Sequence, residues 1–312
     1  MRWRGAGTPD LLDAVSPAHA FATVDRCRPG SPGRPCGTAL LATTASGDWA
    51  PVWSTAAQVT SMAFADGSRG IAAVRRRSCP VLTGSSPARC PGELRRTVDG
   101  GRRWTTVLRL DDPVVAVATN GRRWWAVESA LGIARAPSFL HLTVWSSADG
   151  TTWRRTGRIG GLSILSGQTQ ARMVVDSRGG LWLSFLDQGS CAMHGCGTDG
   201  VWHSGDGGAH WTAATPQPPP AAACGLSGSP VIGADPTGAV HAADGRPQAN
   251  CPPPAATLFT WSSGRWMAVH SWARQILTAM SWPSPRTGYA VVGGRVRKTT
   301  DAGASWNTVW PG

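Results

Sequence analysis

Short apolar runs follow one another along the whole chain, separated by polar, glycine-rich turns. One set reads Phe21-Ala22-Thr23-Val24, Ile71-Ala72-Ala73-Val74, Trp124-Trp125-Ala126-Val127, Leu181-Trp182-Leu183-Ser184-Phe185, Ala239-Val240-His241-Ala242 and Tyr289-Ala290-Val291-Val292. Another set stands just upstream, as in Val59 to Phe64 and Val114 to Ala118. Runs of this length, rich in β-branched and aromatic residues, predict strands, and no stretch keeps helical periodicity long enough to compete.

The turns carry a phrase. It reads Val98-Asp99-Gly100-Gly101-Arg102-Arg103-Trp104, then Gly205-Asp206-Gly207-Gly208-Ala209-His210-Trp211, then Thr300-Asp301-Ala302-Gly303-Ala304-Ser305-Trp306. A shorter copy is Asp149-Gly150-Thr151-Thr152-Trp153, and degenerate copies end at Trp49 and Trp266. An Asp side chain accepts backbone N–H groups a few residues on, and Gly supplies positive φ, so each phrase predicts a tight turn between two strands. The Trp then opens the next strand, where its ring covers a sheet face.

The closing tryptophans, at 49, 104, 153, 211, 266 and 306, are 55, 49, 58, 55 and 40 residues apart. A period of about 50 residues with four strands per module predicts an all-β fold, a β-propeller of six four-stranded antiparallel blades. The predicted blades are 9–56, 57–110, 111–160, 161–215, 222–273 and 275–312, in one domain spanning 1–312. A seventh blade would require chain upstream of Met1.

The phrase resembles the Asp box, Ser/Thr-x-Asp-x-Gly-x-Thr-Trp, also called the bacterial neuraminidase repeat. Propellers with this box include sialidases, sortilin-type receptors and the photosystem II stability and assembly factors. Val15-Ser16-Pro17-Ala18-His19-Ala20-Phe21 and Trp282-Pro283-Ser284-Pro285-Arg286-Thr287-Gly288-Tyr289-Ala290 look like segments leading into blades of bacterial members of the last group. The resemblance implies that Asp99, Trp104, Asp149, Trp153, Asp206, Trp211, Asp301 and Trp306 are structural, holding the turns between third and fourth strands.

Likeness to the sialidases implies three arginines for a substrate carboxylate, a Tyr nucleophile paired with Glu, and an Asp acid/base. The chain offers one tyrosine, Tyr289, and two glutamates, Glu93 and Glu128, and the Phe/Tyr-Arg-Ile-Pro motif of true sialidases is missing. A tyrosine nucleophile needs an adjacent base, and nothing in the sequence supplies one. Apart from the turn aspartates, the carboxylates near the loops joining second and third strands are Asp25, Glu128, Asp187, Asp199 and Asp244. No nucleophile elbow, phosphate loop or dinucleotide fingerprint appears. The reading is therefore a non-enzymatic binding or assembly module with no cofactor. A sialidase-like exo-glycoside hydrolase is the alternative.

Charge bears on the partner. The chain carries 30 basic residues against 18 acidic, a formal net charge of +12, and every basic residue but Lys298 is arginine. Such a surface attracts polyanions. Arginine occurs in every module, and no nucleic-acid-binding motif accompanies it. The loops between second and third strands present Arg26, Arg28, Arg34, Arg75, Arg76, Arg77, Arg89, Arg135 and Arg246. With Glu128 and Asp187 these form the candidate contact surface for a protein or an acidic glycan, since loops on a rigid scaffold carry recognition. No specific nucleic-acid partner, no transmembrane segment and a monomeric state are expected.

The eight cysteines are placed by the repeat. Cys27 and Cys36, Cys79 and Cys90, and Cys191 and Cys196 each fall in one such loop, while Cys224 and Cys251 flank the first two strands of module five on the same side. Four disulfides between sequence neighbours follow: 27–36, 79–90, 191–196 and 224–251. The rival reading, a metal held by Cys191, His194 and Cys196, lacks a fourth ligand and Cys-x-x-Cys knuckles, so no metal is expected. Disulfides persist in oxidising compartments, so the chain is expected to be secreted or displayed at the cell surface. Met1-Arg2-Trp3-Arg4-Gly5 has no apolar signal core, which puts any signal sequence upstream of this chain. Non-reducing peptide mapping is expected to recover those four linkages; free thiols, or a bridge between different blades, would refute the pairing.

Overall fold

The computed structural model describes residues 8–26, 37–75, 91–132, 138–164, 169–187, 200–214, 231–243 and 256–310, which form six four-stranded antiparallel sheets. Blade one holds β1 (Pro9–Ser16), β2 (His19–Arg26), β3 (Gly37–Thr43) and β4 (Trp49–Thr55). Blade two holds β5 (Gln58–Phe64), β6 (Gly70–Arg75), β7 (Gly92–Thr97) and β8 (Thr105–Leu110). Blade three holds β9 (Val114–Thr119), β10 (Trp124–Gly132), β11 (Ser138–Ser147) and β12 (Arg154–Ile164). Blade four holds β13 (Thr169–Val175), β14 (Leu181–Asp187), β15 (Gly200–Ser204) and β16 (Thr212–Ala213). Blade five holds β17 (Val231–Ala234), β18 (Val240–Ala243), β19 (Ala256–Ser262) and β20 (Arg265–Trp272). Blade six holds β21 (Leu277–Ser281), β22 (Gly288–Val292), β23 (Arg295–Thr299) and β24 (Asn307–Thr308).

Every blade is a simple meander with its strands paired in chain order. The first strand of each lies at the axis, beside the first strands of its two neighbours. This is the six-bladed propeller that the repeat predicts. Burial falls from axis to rim. In β6 every residue from Gly70 to Val74 is buried, whereas β8 and, up to Ser271, β20 hold only exposed and half-buried positions. The second strands read as unbroken apolar runs for that reason: both of their faces are covered by neighbouring blades.

The core is not one mass but six seams. One buried cluster lies between blades one and two, the next between two and three, and so on around to six and one. Aromatic rings fill several of them. Phe21 and Phe64 stack with centres 3.6 Å apart across the first seam, and Trp306 meets Trp272 and Trp282 edge-on across the fifth.

The turns between third and fourth strands share one network. In blade two, Thr97 Oγ1 donates to Asp99 Oδ1 (2.9 Å) and accepts the Gly101 N–H (3.0 Å), while Asp99 Oδ1 accepts the Arg103 N–H (2.9 Å). The Trp104 Nε1–H donates to the Gly101 carbonyl at 2.8 Å, turning the ring inward. Blades four and six repeat this with Ser204, Asp206, Gly208 and Trp211, and with Thr299, Asp301, Gly303 and Trp306. Two successive residues take positive φ in each, and in blade six the first is Ala302 (φ 62). The Asp149 turn is one residue shorter. Its carboxylate still accepts the Thr151 and Thr152 N–H groups, but the Trp153 Nε1–H finds no partner.

Among the described residues, ring closure uses no shared sheet. Blade one is built wholly from the N-terminal strands and blade six wholly from the C-terminal ones. Side chains bridge the joint instead. The Tyr289 hydroxyl donates to the Pro17 carbonyl (2.8 Å), Lys298 Nζ donates to the same oxygen (2.7 Å), and the Ala14 N–H donates to Ser281 Oγ (2.9 Å). Trp49 and Trp310 pack with centres 5.1 Å apart.

Among the described glycines, Gly157 of β12 leaves the least room: an added Cβ would lie 1.9 Å from the Gly208 carbonyl oxygen of blade four. At Gly47, which has φ +80, a Cβ would meet nothing within 4 Å. Gly157→Ala is therefore expected to cost about 3 kcal/mol or more, by forcing the seam apart. Gly47→Ala should cost about 1 kcal/mol, from backbone strain alone. Chemical denaturation of both variants checks this, and equal losses would contradict the seam contact.

Candidate functional site

The six first strands enclose an axial funnel of about 610 Å³. Its lining comes from the C-terminal ends of those strands and the turns that follow, so the funnel opens on the side of the molecule that carries the turns. The ends of the second strands and the starts of the third lie on the opposite side.

Each of four mouth turns is closed by an Asp or Asn at the end of its inner strand. Asp66 Oδ1 accepts the Ser68 and Arg69 N–H groups, and Asn120 Oδ1 those of Arg122 and Arg123. Asp176 Oδ1 accepts those of Arg178 and Gly180, and Asp235 Oδ1 those of Thr237 and Ala239. This second ring of turns recurs as regularly as the Asp–Gly–Trp phrase. It was not picked out from the sequence, though an Asp or Asn directly after each of these four inner apolar runs was its visible signal.

Deeper in, Arg172 of β13 reaches from blade four to the start of β21, where its Nη2 donates to the Thr278 carbonyl (3.2 Å), with the Asp10 carbonyl of β1 at 3.5 Å. Blade four stands opposite blade one in a six-membered ring, so this guanidinium crosses the axis. In the wall, the Asp13 carboxylate accepts the Phe64 N–H from blade two and faces Ser281 Oγ of blade six (3.4 Å). Three blades thus meet at one side chain. Burial pushes the Asp13 carboxyl up to about 6, against the opposing pull of those two donors. Neither Arg172 nor Asp13 was picked out from the sequence, because residues so far apart along the chain carry no local mark of meeting.

His241 of β18 is buried, stacked on Trp282 with ring centres 3.9 Å apart. Its Nδ1 pairs with Thr260 Oγ1 (2.9 Å), and its Nε2 lies 4.0 Å from Asp235 Oδ2. Burial lowers its pKa to about 4, partly offset by Asp235, so the ring is neutral near pH 7. Trp182 holds the matching place on β14 and donates its Nε1–H to Asp176 Oδ2 (3.1 Å). The His241–Asp235 pair is thus blade five's version of a turn anchor.

The side chains required for sialidase chemistry are scattered. Tyr289 is 3% exposed in blade six, with its hydroxyl donating to Pro17. Glu93 lies in blade two, paired with Arg95 (2.9 Å) and, more loosely, Arg109 (3.5 Å). Glu128 lies in blade three, where Oε2 accepts the Trp145 Nε1–H (3.0 Å); burial raises its pKa, and Asp112 and Asp111 add to the rise.

Among the loop-side candidates, Arg75 ends β6 and donates from Nε to Gln58 Oε1 (2.8 Å). Arg26 lies opposite Gly37 at the end of β2, and Asp187 opposite Thr169 at the end of β14. Arg28, Arg34, Arg76, Arg77, Arg89, Arg135 and Arg246, all eight cysteines, Asp199 and Asp244 lie outside the described residues. The turn carboxylate of Asp99 is held below the usual range, those of Asp149 and Asp206 well below it, and Asp301 at about 2. Backbone N–H donors lead for the first three, and the Ser305 hydroxyl and N–H for Asp301. Among the described residues no helix is long and apolar enough to cross a membrane, and no cluster of three His, Cys, Asp or Glu is arranged to hold a metal.

No family model and no curated protein matches the chain. Solved structures do. The Hadza microbial sialidase Hz136 superposes with a TM-score of 0.57 at 12% identity over 97% of this chain, which spans 65% of the sialidase chain. The Fusarium graminearum GH93 α-L-arabinofuranosidase bound to arabinobiose gives 0.56 at 10% identity, covering 98% of this chain and 92% of that one. The β-propeller domain of the Pyrococcus furiosus Trilobed protease, described as having an open velcro topology, gives 0.52 at 6%, covering 99% and 86%. The likeness is one of fold. Glycosidases and a protease share it, and fold alone assigns no activity.

Asp13 yields a pH test. Its folded pKa lies above the unfolded carboxylate value, so the stability it lends is fully present below about pH 4 and is lost as pH rises through about 6. Wild type is expected to lose about 2 kcal/mol relative to Asp13→Asn between about pH 4 and 7. Parallel stability curves for the two proteins would contradict this.

Proposed function

We propose that the chain is an exported, non-catalytic propeller of the Asp-box kind that binds a protein or an acidic glycan. One observation carries the reading. The only tyrosine is buried at the joint between blades six and one, its hydroxyl committed to Pro17, while both glutamates belong to blades two and three. A Tyr–Glu nucleophile pair is not assembled by that geometry. The repeated turn networks fit a scaffold role for the Asp-box residues, and the blade-leading segments around Val15 and Trp282 link the chain to bacterial relatives of the photosystem assembly factors. The cysteine pattern supports an extracytoplasmic location.

A second reading, a sialidase-like exo-glycoside hydrolase, is favoured by one fact: glycosidases are among the structures that share this fold. A glycan and polyanion array at two salt concentrations, run beside fluorogenic sialosides and aryl α-L-arabinofuranosides, separates the two. Binding without turnover is expected. Sialoside turnover by wild type that disappears in Tyr289→Phe would overturn the non-catalytic reading.

A further inference from the structure

The turn-bearing side of the molecule is unevenly charged. Blades two and three present seven exposed arginines there: Arg69, Arg102, Arg103, Arg122, Arg123, Arg154 and Arg155. The other four blades together expose three on their described turns, Arg178, Arg265 and Arg286. The carboxylates beside the seven are occupied in building turns. Asp66 pairs with Arg69 (2.7 Å) and also accepts backbone N–H groups, while Asp99 and Asp149 are saturated by their own turns. Asp66, Asp99 and Asp149 keep their charge while they hold the turns, so seven arginines against three carboxylates leave the turns of these two blades at a net charge of +4.

These arginines form one field because their four turns abut. The Gly100 N–H donates to the Ser68 carbonyl (2.9 Å), joining the Asp99 turn to the Asp66 turn. A Cβ on Gly121 would meet the Ala65 carbonyl at 3.9 Å, which sets the Asn120 turn beside the Asp66 turn across the seam. A Cβ on Gly150 would meet Trp124 Nε1 at 3.2 Å and the Arg96 side chain at 3.4 Å, which closes the circuit.

We propose that this patch on blades two and three docks an acidic polysaccharide, one bearing carboxylate or sulfate groups along its length. The proposal rests on the binding-module reading and gives that module a place and a ligand chemistry, on the side opposite the far ends of the second strands. Guanidinium forks match carboxylate and sulfate oxygens in pairs. Single-stranded nucleic acid fits less well, since it wants exposed aromatic platforms. Here the rings are taken: Trp104 packs on Phe64 and Trp53, Trp124 is buried, and Trp145 and Trp153 pack into the seam between the two blades. Recognition by charge without ring stacking should be strongly salt-dependent.

The test uses the full chain with heparin and polygalacturonate, dextran as the neutral control and a random-sequence DNA duplex as the rival, at 50 and 300 mM salt. Arg102→Glu/Arg103→Glu/Arg122→Glu/Arg123→Glu is expected to weaken binding of the acidic polysaccharides on the order of 30-fold at low salt. Arg154→Glu/Arg155→Glu, which touches a different turn, should weaken it about tenfold, and Arg265→Glu in blade five should change little. The Asp99 turn contacts Arg102, so the second pair keeps the test valid if the first variant fails to fold. Undiminished affinity in both variants, with loss on Arg75→Glu/Arg76→Glu/Arg77→Glu, would move the site to the loop side and leave the binding-module reading standing. Tighter binding to the duplex than to either polysaccharide, or no polyanion binding by wild type, would overturn the proposal. Glycoside turnover would instead sink the non-catalytic reading while leaving the mapped surface intact.

Discussion

Everything in this molecule depends on blade-to-blade burial. A single four-stranded meander of these sequences has two apolar faces and no layer of its own to cover them. Phe21, Ile71, Trp125, Trp182, His241 and Tyr289 all occupy the second strand of their blades, and every one is buried against a neighbour. A blade is therefore stable only in company, and the company has to close on itself, since an open end would leave one apolar face in water. The close approach of Gly157 to the Gly208 turn shows how little slack the arrangement leaves.

The turns serve that burial. In the three full-length phrases the indole N–H is spent on a carbonyl in its own turn, which fixes the angle at which the ring enters the seam. Shortening the phrase by one residue, as at Asp149, keeps the carboxylate contacts and forfeits the indole one. The backbone donors hold these aspartates ionised, and it is only in blades two and three that exposed arginines on the turns outnumber the turn carboxylates.

Much of this was legible beforehand, for a physical reason. Turn chemistry and strand hydrophobicity are local, so Asp99 to Trp104 and its copies announced strand order, blade number and period without any tertiary knowledge. What stayed hidden depends on distance along the chain. Asp13 meets Ser281 across 268 residues, and Arg172 reaches the start of β21 across 106. The basic patch was invisible for a similar reason. Arginine is spread through every module in sequence, and only folding sets the turns after β5, β7, β9 and β11 side by side. The ring of Asp66, Asn120, Asp176 and Asp235 was readable but unread, masked by the louder tryptophan phrase.

The joint between blades six and one has an evolutionary reach. In a circle fastened by exchanging a terminal strand, gaining or losing a unit means rebuilding that shared sheet. Here the first four described strands pair only with one another, and so do the last four. Gene duplication can append or delete a whole unit while every strand keeps its native pairing partner, and the circumference then answers only to how steeply the side-chain wedges taper.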